Sequence, residues 1–223
     1  MYPDNVPVIL VHGWNSHPGA WKHLIRELDA ARIPYALFDY SKKSGRPLDE
    51  IAGDLGRFIA AWRNQSSWDG PVDIVCHSIG TCIARYLLEV SDGRQRQQRV
   101  RQLVGLGPPN NGSALAEIWF HPLHGPELIR KLTGVFVPRG YDPGSDAMVR
   151  DVRPGSEFME QLRTSGTRPD IIYRIIVTAN PGGNPEFFPL FAGKTWKLSV
   201  TQEFCQTLDG DGIVTHAESA LPG

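Results

Sequence analysis

The feature that most limits the fold of this chain is the alternation of short apolar segments with longer amphipathic ones. The short segments have the length and the Val, Ile and Leu content of strands that are buried on both faces. We predict strands at residues 6–11, 34–38, 71–76, 103–106, 171–177 and 195–200. Helices are predicted over 18–31, over 47–63 and directly after Ser78, because apolar residues recur there at helical spacing.

Strands that alternate with helices of ten or more residues are typical of an α/β fold. We therefore predict a mostly parallel central sheet with helices on both faces and right-handed crossovers. The chain has 223 residues, of which 41% are hydrophobic. That composition is enough to fill one core, so we expect a single domain over residues 1–223.

One segment, from about residue 108 to residue 170, is too long for an ordinary connection between strands. It is rich in Gly and Pro and carries large apolar side chains, among them Trp119 and Phe120. We predict that it forms a mostly helical cap, or lid, over the end of the sheet. The alternative is a larger surface layer without a role at the site.

Charge and composition exclude several classes of function. The formal net charge is −1, so no overall field attracts nucleic acid or anionic lipid. The arginine-rich stretch 93–101 contains no interleaved aromatic residue and is interpreted as a solvated loop. No apolar run reaches the roughly 18 residues of a membrane span. We therefore expect no nucleic-acid partner and no transmembrane segment.

The cysteines and the N-terminus complete these expectations. The three cysteines lack the spacing of a metal site, and we expect buried free thiols and no metal. Met1 is followed almost at once by a predicted strand, without a signal-type segment. We expect a cytoplasmic protein if Met1 is the native start, and a secreted one if a leader has been trimmed.

The most informative local pattern surrounds Ser78. A predicted buried strand ends directly before Ser78, and a predicted helix begins directly after it. A serine on such a sharp strand-to-helix turn is lifted clear of the sheet, which exposes its hydroxyl to a substrate. Residues two before and two after the serine must be small, and Cys76 and Gly80 occupy these positions. The pattern predicts a nucleophile, although an ordinary helix N-cap is the alternative.

Two further segments would meet this serine at the carboxyl edge of a parallel sheet. The first strand ends at His12-Gly13-Trp14. The N–H groups of Trp14 and Ile79 are our candidate donors to an oxyanion. His12 is interpreted as a residue that pins the Gly13 loop, with a catalytic base as the alternative.

The third segment is a glycine-flanked turn near the end of the sequence, and Asp211 lies within it. A carboxylate at such a turn after a late strand can orient a catalytic histidine. A plain Asp-Gly turn or a cation loop is the alternative for this segment taken alone. In combination with Ser78, the turn predicts that Asp211 is the catalytic acid.

Together these motifs resemble the α/β-hydrolase fold and, within it, the bacterial lipase and esterase family. Residues 8–14 resemble the oxyanion strand and loop of that family, and residues 76–80 resemble its G-x-S-x-G elbow with Cys in the first glycine position. The segments 107–113, 148–162 and 211–214 are also similar to lipase sequences. The resemblance implies a serine hydrolase that acts on ester or lipid substrates without a metal or cofactor.

The resemblance leaves the catalytic base open. The family places its histidine after one further strand beyond the acid, whereas His216 is the only histidine after Asp211 here. Either His216 is the base, or the base lies beyond Gly223. The expected function is cleavage of carboxylic esters through an acyl-enzyme on Ser78, with possible lipid-interface contact through the cap. Phospholipase, polyester hydrolase and non-catalytic apolar-ligand binder remain the alternatives.

Overall fold

The protein is described by a computed structural model, which covers residues 5–43, 45–179 and 193–221. Its central sheet has five parallel strands in the order β2-β1-β3-β4-β5. These strands are β1 (Val8–Val11), β2 (Tyr35–Phe38), β3 (Val72–His77), β4 (Val100–Leu106) and β5 (Ile172–Ile176). The predicted fold class, a mostly parallel sheet with flanking helices, is confirmed.

The helices lie between and after these strands. They are α1 (Lys22–Ala30), α2 (Leu48–Ser66), α3 (Ile79–Arg85), α4 (Ala114–Trp119), α5 (Gly125–Leu132), α6 (Ala147–Asp151), α7 (Glu157–Ser165) and α8 (His216–Ser219). A 3₁₀ turn at Pro18–Trp21 precedes α1, and a π-type turn at Tyr86–Ser91 continues α3. No helix in the described part of the chain is long and apolar enough to cross a lipid bilayer.

The sheet separates two apolar clusters, which explains why β1 contains no polar residue. Ile9 and Val11 point into the larger cluster, where the sheet packs against α2 and α3. Val8 and Leu10 point to the opposite face and pack against residues of α1, such as Leu28. Because successive residues of a strand face opposite sides, a strand with helices over both faces must be apolar throughout.

The prediction of a strand at 195–200 needs a correction of its bounds and its pairing. β6 (Thr195–Leu198) pairs antiparallel with β7 (Phe204–Thr207) in a separate two-stranded sheet. A short connection joins these two strands, and such a connection permits only antiparallel pairing, since a parallel strand needs a long crossover. The sequence pattern of β6 did not reveal this partner.

The segment predicted as a cap lies between β4 and β5 and contains α4, α5, α6 and α7. Its buried apolar residues, such as Trp119, Leu128 and Leu132, belong to the same cluster as the sheet residues. This segment therefore packs onto the core of the domain and also reaches the carboxyl edge of the sheet, where the candidate site lies.

Candidate active site

The backbone of Ser78 makes a sharp turn between β3 and α3. Its φ is 53° and its ψ is −131°, a conformation with positive φ that non-glycine residues rarely adopt. The N–H of Ser78 donates to Leu106 O at 2.9 Å, and its carbonyl accepts from Thr81 N at 2.9 Å. The side chain is partly exposed, and its hydroxyl has no hydrogen-bond partner among the described residues. The hydroxyl is thus presented at the carboxyl edge of the sheet.

Two glycines permit the close packing around this turn. A Cβ added at Gly80 would lie 2.4 Å from the carbonyl oxygen of His12, which is too close for any side chain. A Cβ added at Gly13 would lie 2.8 Å from His77 Nδ1 and 3.2 Å from Ser78 Cβ. The loop after β1 therefore runs directly beside the nucleophile turn.

A cavity of about 50 Å³ opens at Ser78. Its walls are mainly apolar and combine residues of the loop after β1, the Ser78 turn, the segment between β4 and β5, and the Asp211 turn. The lining residues are Trp14, Ser78, Ile79, Pro109, Ser113, Leu115, Ala116, Trp119, Phe136, Val149, Val152, Ile213 and Val214. None of these residues is charged, so the cavity suits an apolar group.

The two predicted oxyanion donors, Trp14 and Ile79, both line this cavity with Ser78. Ile79 is the first residue of α3, so its N–H has no acceptor within the helix and lies at the positive end of the helix dipole. The structure thus brings together Ser78 and the residues that carry both candidate N–H donors.

His12 is buried and fixed by three contacts. Its Nδ1 lies 2.9 Å from Gly13 O, its Nε2 accepts from Tyr40 N at 3.2 Å, and its ring stacks on that of Tyr40. Burial lowers the pKa of His12, which favours the neutral ring that this bonding requires. The hydroxyl of Tyr40 also donates to His12 O at 2.7 Å. These contacts hold the end of β1 and the Gly13 loop.

Asp211 lies in a tight turn that fixes one of its carboxylate oxygens. Oδ1 accepts from Ile213 N and Val214 N, both at 2.8 Å. Oδ2 is directed towards Gly107, at the end of β4, where an added Cβ would lie 3.2 Å from it. One oxygen is therefore held by the turn, and the other remains available to a further donor at the carboxyl edge of the sheet.

The structure pairs His216 with Asp209 and not with Asp211. His216 Nδ1 lies 2.6 Å from Asp209 Oδ1, and its Nε2 lies 3.0 Å from Thr178 O. Because both partners are acceptors, the two bonds form together only when both ring nitrogens carry a proton. In this arrangement the ring cannot accept the proton of Ser78. Within residues 5–43, 45–179 and 193–221, no imidazole is hydrogen-bonded to Asp211.

A buried ion pair connects the nucleophile helix to the segment after β4. Arg85 of α3 donates to both carboxylate oxygens of Glu89, at 2.9 and 2.8 Å, and both side chains are fully buried. Arg85 also donates to the backbone and side-chain oxygens of Asn110, each at 3.2 Å. The sequence analysis did not identify this pair, although its i, i+4 spacing was visible; Arg85 ends α3 and Glu89 lies in the π-type turn that continues it.

Two asparagines then connect that segment to α8, which follows the Asp211 turn. Asn110 Nδ2 donates to Ser219 O at 2.7 Å. Asn111 Nδ2 donates to Ala217 O and Ala220 O at 2.9 and 2.8 Å. These amides bind the last carbonyl groups of α8, which would otherwise lack partners. The position of the Asp211 turn relative to Ser78 therefore depends on this chain of bonds through Arg85.

The described residues contain no cluster of metal-binding side chains. No group of three or more His, Cys, Asp or Glu side chains is close enough there to hold a metal ion. Cys76 and Cys82 are buried free thiols, and burial raises the pKa of both. Neither thiol has the low pKa of a reactive cysteine.

Comparison with known proteins identifies the fold of the chain. The model of the family described as alpha/beta hydrolase fold matches residues 6–135. No curated protein sequence matches the chain. Among solved structures, Bacillus licheniformis lipase BlEst2 in its mature form is similar, with a TM-score of 0.69 and 21% identity over 99% of this chain and 81% of that chain.

Two other solved structures are similar to the chain. Phospholipase PlaB from Legionella pneumophila has a TM-score of 0.70 and 20% identity over 96% of this chain and 45% of that chain. A metagenomic carboxyl esterase has a TM-score of 0.57 and 15% identity over 100% of this chain and 62% of that chain. The chain thus spans less than half of the phospholipase. At these identities the similarity shows the fold.

Proposed function

Because the chain belongs to the α/β-hydrolase family, we propose that it is a serine hydrolase that cleaves carboxylic esters through an acyl-enzyme on Ser78. The observation that carries this proposal is the strained Ser78 turn, with its free hydroxyl on an apolar cavity and Ile79 at the start of α3. Backbone strain of this kind, roughly 1–3 kcal/mol, persists where the surrounding structure enforces it, often at functional sites.

In the proposed reaction, Ser78 Oγ attacks the carbonyl carbon of the ester while its proton passes to an imidazole. The negative charge that develops on the carbonyl oxygen is stabilised by the N–H groups of Ile79 and Trp14. The alcohol leaves with the proton from the imidazole, and the acyl group remains on Ser78. Water then attacks the acyl-enzyme by the same route and releases the acid.

Asp211 would hold this imidazole in the correct tautomer through its free Oδ2. His216 can fill the role only if it leaves Asp209 and Thr178 and turns to Asp211, because its present bonds occupy both ring nitrogens. The variant His216→Asn tests this role: ester hydrolysis is lost if His216 is the base and survives if another imidazole supplies it.

The cavity supports an apolar acyl group, since no charged residue lines it. A lipase or short-chain esterase is therefore the form of the proposal that we favour. Rates on p-nitrophenyl esters of increasing chain length would measure the acyl preference. Parallel assays with a phosphatidylcholine and with a short aliphatic polyester would show whether a phospholipase or a polyester hydrolase describes the protein better.

Labelling with a fluorophosphonate tests the nucleophile directly. We expect one label on the peptide that contains Ser78, and none on the peptide that contains Ser113, the other serine of the cavity. Ser78→Ala should abolish both the label and ester hydrolysis. A label elsewhere, or hydrolysis that survives in Ser78→Ala, would contradict the proposal.

A non-catalytic role remains the second candidate because His216 is paired with Asp209 and not with Asp211. In that case the apolar cavity would bind a ligand without cleaving it. An inert Ser78 together with saturable binding of a fatty acid would favour this role. Binding should then weaken when Leu115→Trp fills the cavity.

We also propose that the segment between β4 and β5 contacts lipid surfaces. Two large apolar side chains flank α5: Leu123 is 77% exposed and Val135 is 64% exposed. Leu123→Asp and Val135→Asp should lower the rate on an emulsified triglyceride and leave the rate on a dissolved short-chain ester unchanged. Equal losses on both substrates would contradict lipid contact at these residues.

A further inference from the structure

Asp146 is a buried carboxylate that lies at the start of α6. Only 2% of its surface is exposed, and three donors surround it. Oδ1 accepts from Met148 N at 2.9 Å, and Oδ2 accepts from the indole Nε1 of Trp14 at 2.8 Å and from the hydroxyl of Tyr141. No cation is among these partners, so hydrogen bonds alone satisfy the oxygens of this buried carboxyl group.

The bond to Trp14 crosses a large distance in sequence. Trp14 lies on the loop after β1, whereas Asp146 and Tyr141 belong to the segment between β4 and β5. The Trp14 ring also packs against Trp119, Phe136 and Tyr141, with centroid distances of 5.6, 5.4 and 5.9 Å. The aromatic contacts restrict the indole, and the directional bond to Asp146 selects one orientation for it.

The orientation of this indole affects the backbone of the same residue. The next residue, Asn15, has a φ of 48°, so the loop turns sharply directly after Trp14. The loop also passes so close to Ser78 that Gly13 has no room for a side chain. A shift of the indole would therefore be transmitted to the N–H of Trp14.

We propose that Asp146 is a positioning residue for the oxyanion site: by holding the Trp14 indole, it fixes the N–H of Trp14 relative to Ser78. This inference rests on the proposed function. Asp146 does not touch the reacting atoms, and it acts through Trp14. It also couples the segment between β4 and β5 to the loop after β1, because Asp146 lies in that segment and binds the Trp14 indole.

Asp146 also caps α6, and the test must separate the two roles. Asn is as good an N-cap as Asp, so Asp146→Asn keeps the cap when its amide oxygen accepts from Met148 N. Its NH₂ group then faces the indole N–H of Trp14, and the bond to Trp14 is lost. Trp14→Phe removes the same bond and leaves the carboxylate of Asp146 in place on Met148 N. The matched control is Asp142→Asn, because Asp142 caps the neighbouring turn through Gly144 N and does not contact Trp14.

The experiment combines steady-state kinetics on a dissolved p-nitrophenyl ester with ¹H–¹⁵N spectra of the indole groups. We expect Asp146→Asn and Trp14→Phe each to lower kcat about tenfold with KM changed less than about twofold, since misplaced catalytic groups reduce turnover. The double variant should lose no more than the larger single loss, because both changes break one bond. Asp142→Asn should retain wild-type kcat.

The indole spectrum shows whether the bond from Trp14 to Asp146 is present in solution, and the fall in kcat at nearly constant KM shows whether that bond positions the N–H of Trp14. Trp14→Phe assigns the Nε1 signal of Trp14, and this signal should move upfield in Asp146→Asn and stay in place in Asp142→Asn. An unmoved signal, an unchanged kcat in Asp146→Asn, or additive losses in the double variant would overturn the role of Asp146. Absence of any turnover by the wild-type protein would instead overturn the proposed function itself.

Discussion

The turn that carries Ser78 and the turn that carries Asp211 are built in different ways. The Ser78 turn joins two regular elements of the core: β3 leads into it, α3 leads out of it, and Gly80 permits the close approach of the loop after β1. The Asp211 turn has local amide bonds, but its place depends on remote residues. Asn110 and Asn111 bind the helix that follows it, and Gly212 N donates to Thr195 Oγ1 at 2.8 Å.

The two turns should therefore respond differently to substitutions elsewhere in the fold. A turn held between a buried strand and a buried helix keeps its shape when residues outside that packing are replaced. A turn placed by long-range bonds moves when any member of that chain is lost, because removing one partner leaves a buried group unsatisfied. We therefore expect remote substitutions to act on Asp211 more than on Ser78.

The largest expected effect distinguishes Asp211 from its neighbour Asp209. Asp211→Asn should lower kcat/KM by about 10⁴-fold, because an amide can keep the turn bonds but cannot hold the imidazole in the required tautomer. Asp209→Asn should change kcat/KM by less than about tenfold, since its partner His216 is not bonded to Asp211. The reverse order in steady-state assays would show that the Asp209–His216 pair is the functional one.

The second largest expected effect concerns the buried Arg85–Glu89 pair, which lies between the two turns. Arg85→Met should lower the free energy of unfolding by about 3–5 kcal/mol, because it leaves the buried carboxylate of Glu89 without its partner. The double variant Arg85→Met/Glu89→Leu should recover much of this loss. Urea unfolding of the wild-type protein, the single variant and the double variant measures the free energy lost and recovered. A loss below 1 kcal/mol in the single variant would mean that water reaches Glu89.

A smaller effect tests the local turn. Gly80→Ala should lower the free energy of unfolding by about 1–3 kcal/mol, because the new Cβ collides with the carbonyl oxygens of His12 and Val11. Gly155→Ala is the matched control, since an added Cβ there meets nothing within 4 Å. Thermal unfolding compares the two. Equal melting temperatures would contradict the close packing of α3 on the loop after β1.

The smallest effect is the pH dependence that His12 confers on the loop beside Ser78. Burial lowers the pKa of His12 in the folded protein, so the unfolded chain binds the proton more readily. The contribution of His12 to the free energy of unfolding is fully present above the pKa of the unfolded chain, about 6.5. It falls as the pH drops below that value, by at most about 1.4 kcal/mol per pH unit. The variant His12→Asn should show a shallower decrease between pH 7 and pH 5. An equal slope would exclude His12 as its source.

The sequence was sufficient for features that depend on neighbouring residues. The strands at 6–11, 34–38 and 71–76, the helix over 47–63 and the parallel sheet followed from apolar spacing, because burial on two faces requires unbroken apolar segments. The Ser78 turn was visible for the same reason. The role of Asp146 was not visible in the sequence, since an aspartate before a short helix has the pattern of an ordinary N-cap.

The amino-acid sequence alone was enough to give the order of the five sheet strands and of α1, α2 and α3, and the turn that presents Ser78, since both depend on local spacing. Which side chains meet became known only from the folded structure: His216 with Asp209, Asp146 with the Trp14 indole, and Arg85 with Asn110. These partners are far apart in the chain or compete with similar neighbours. Hydrogen bonds depend on distance and angle, and spacing along the chain contains neither for residues on different elements.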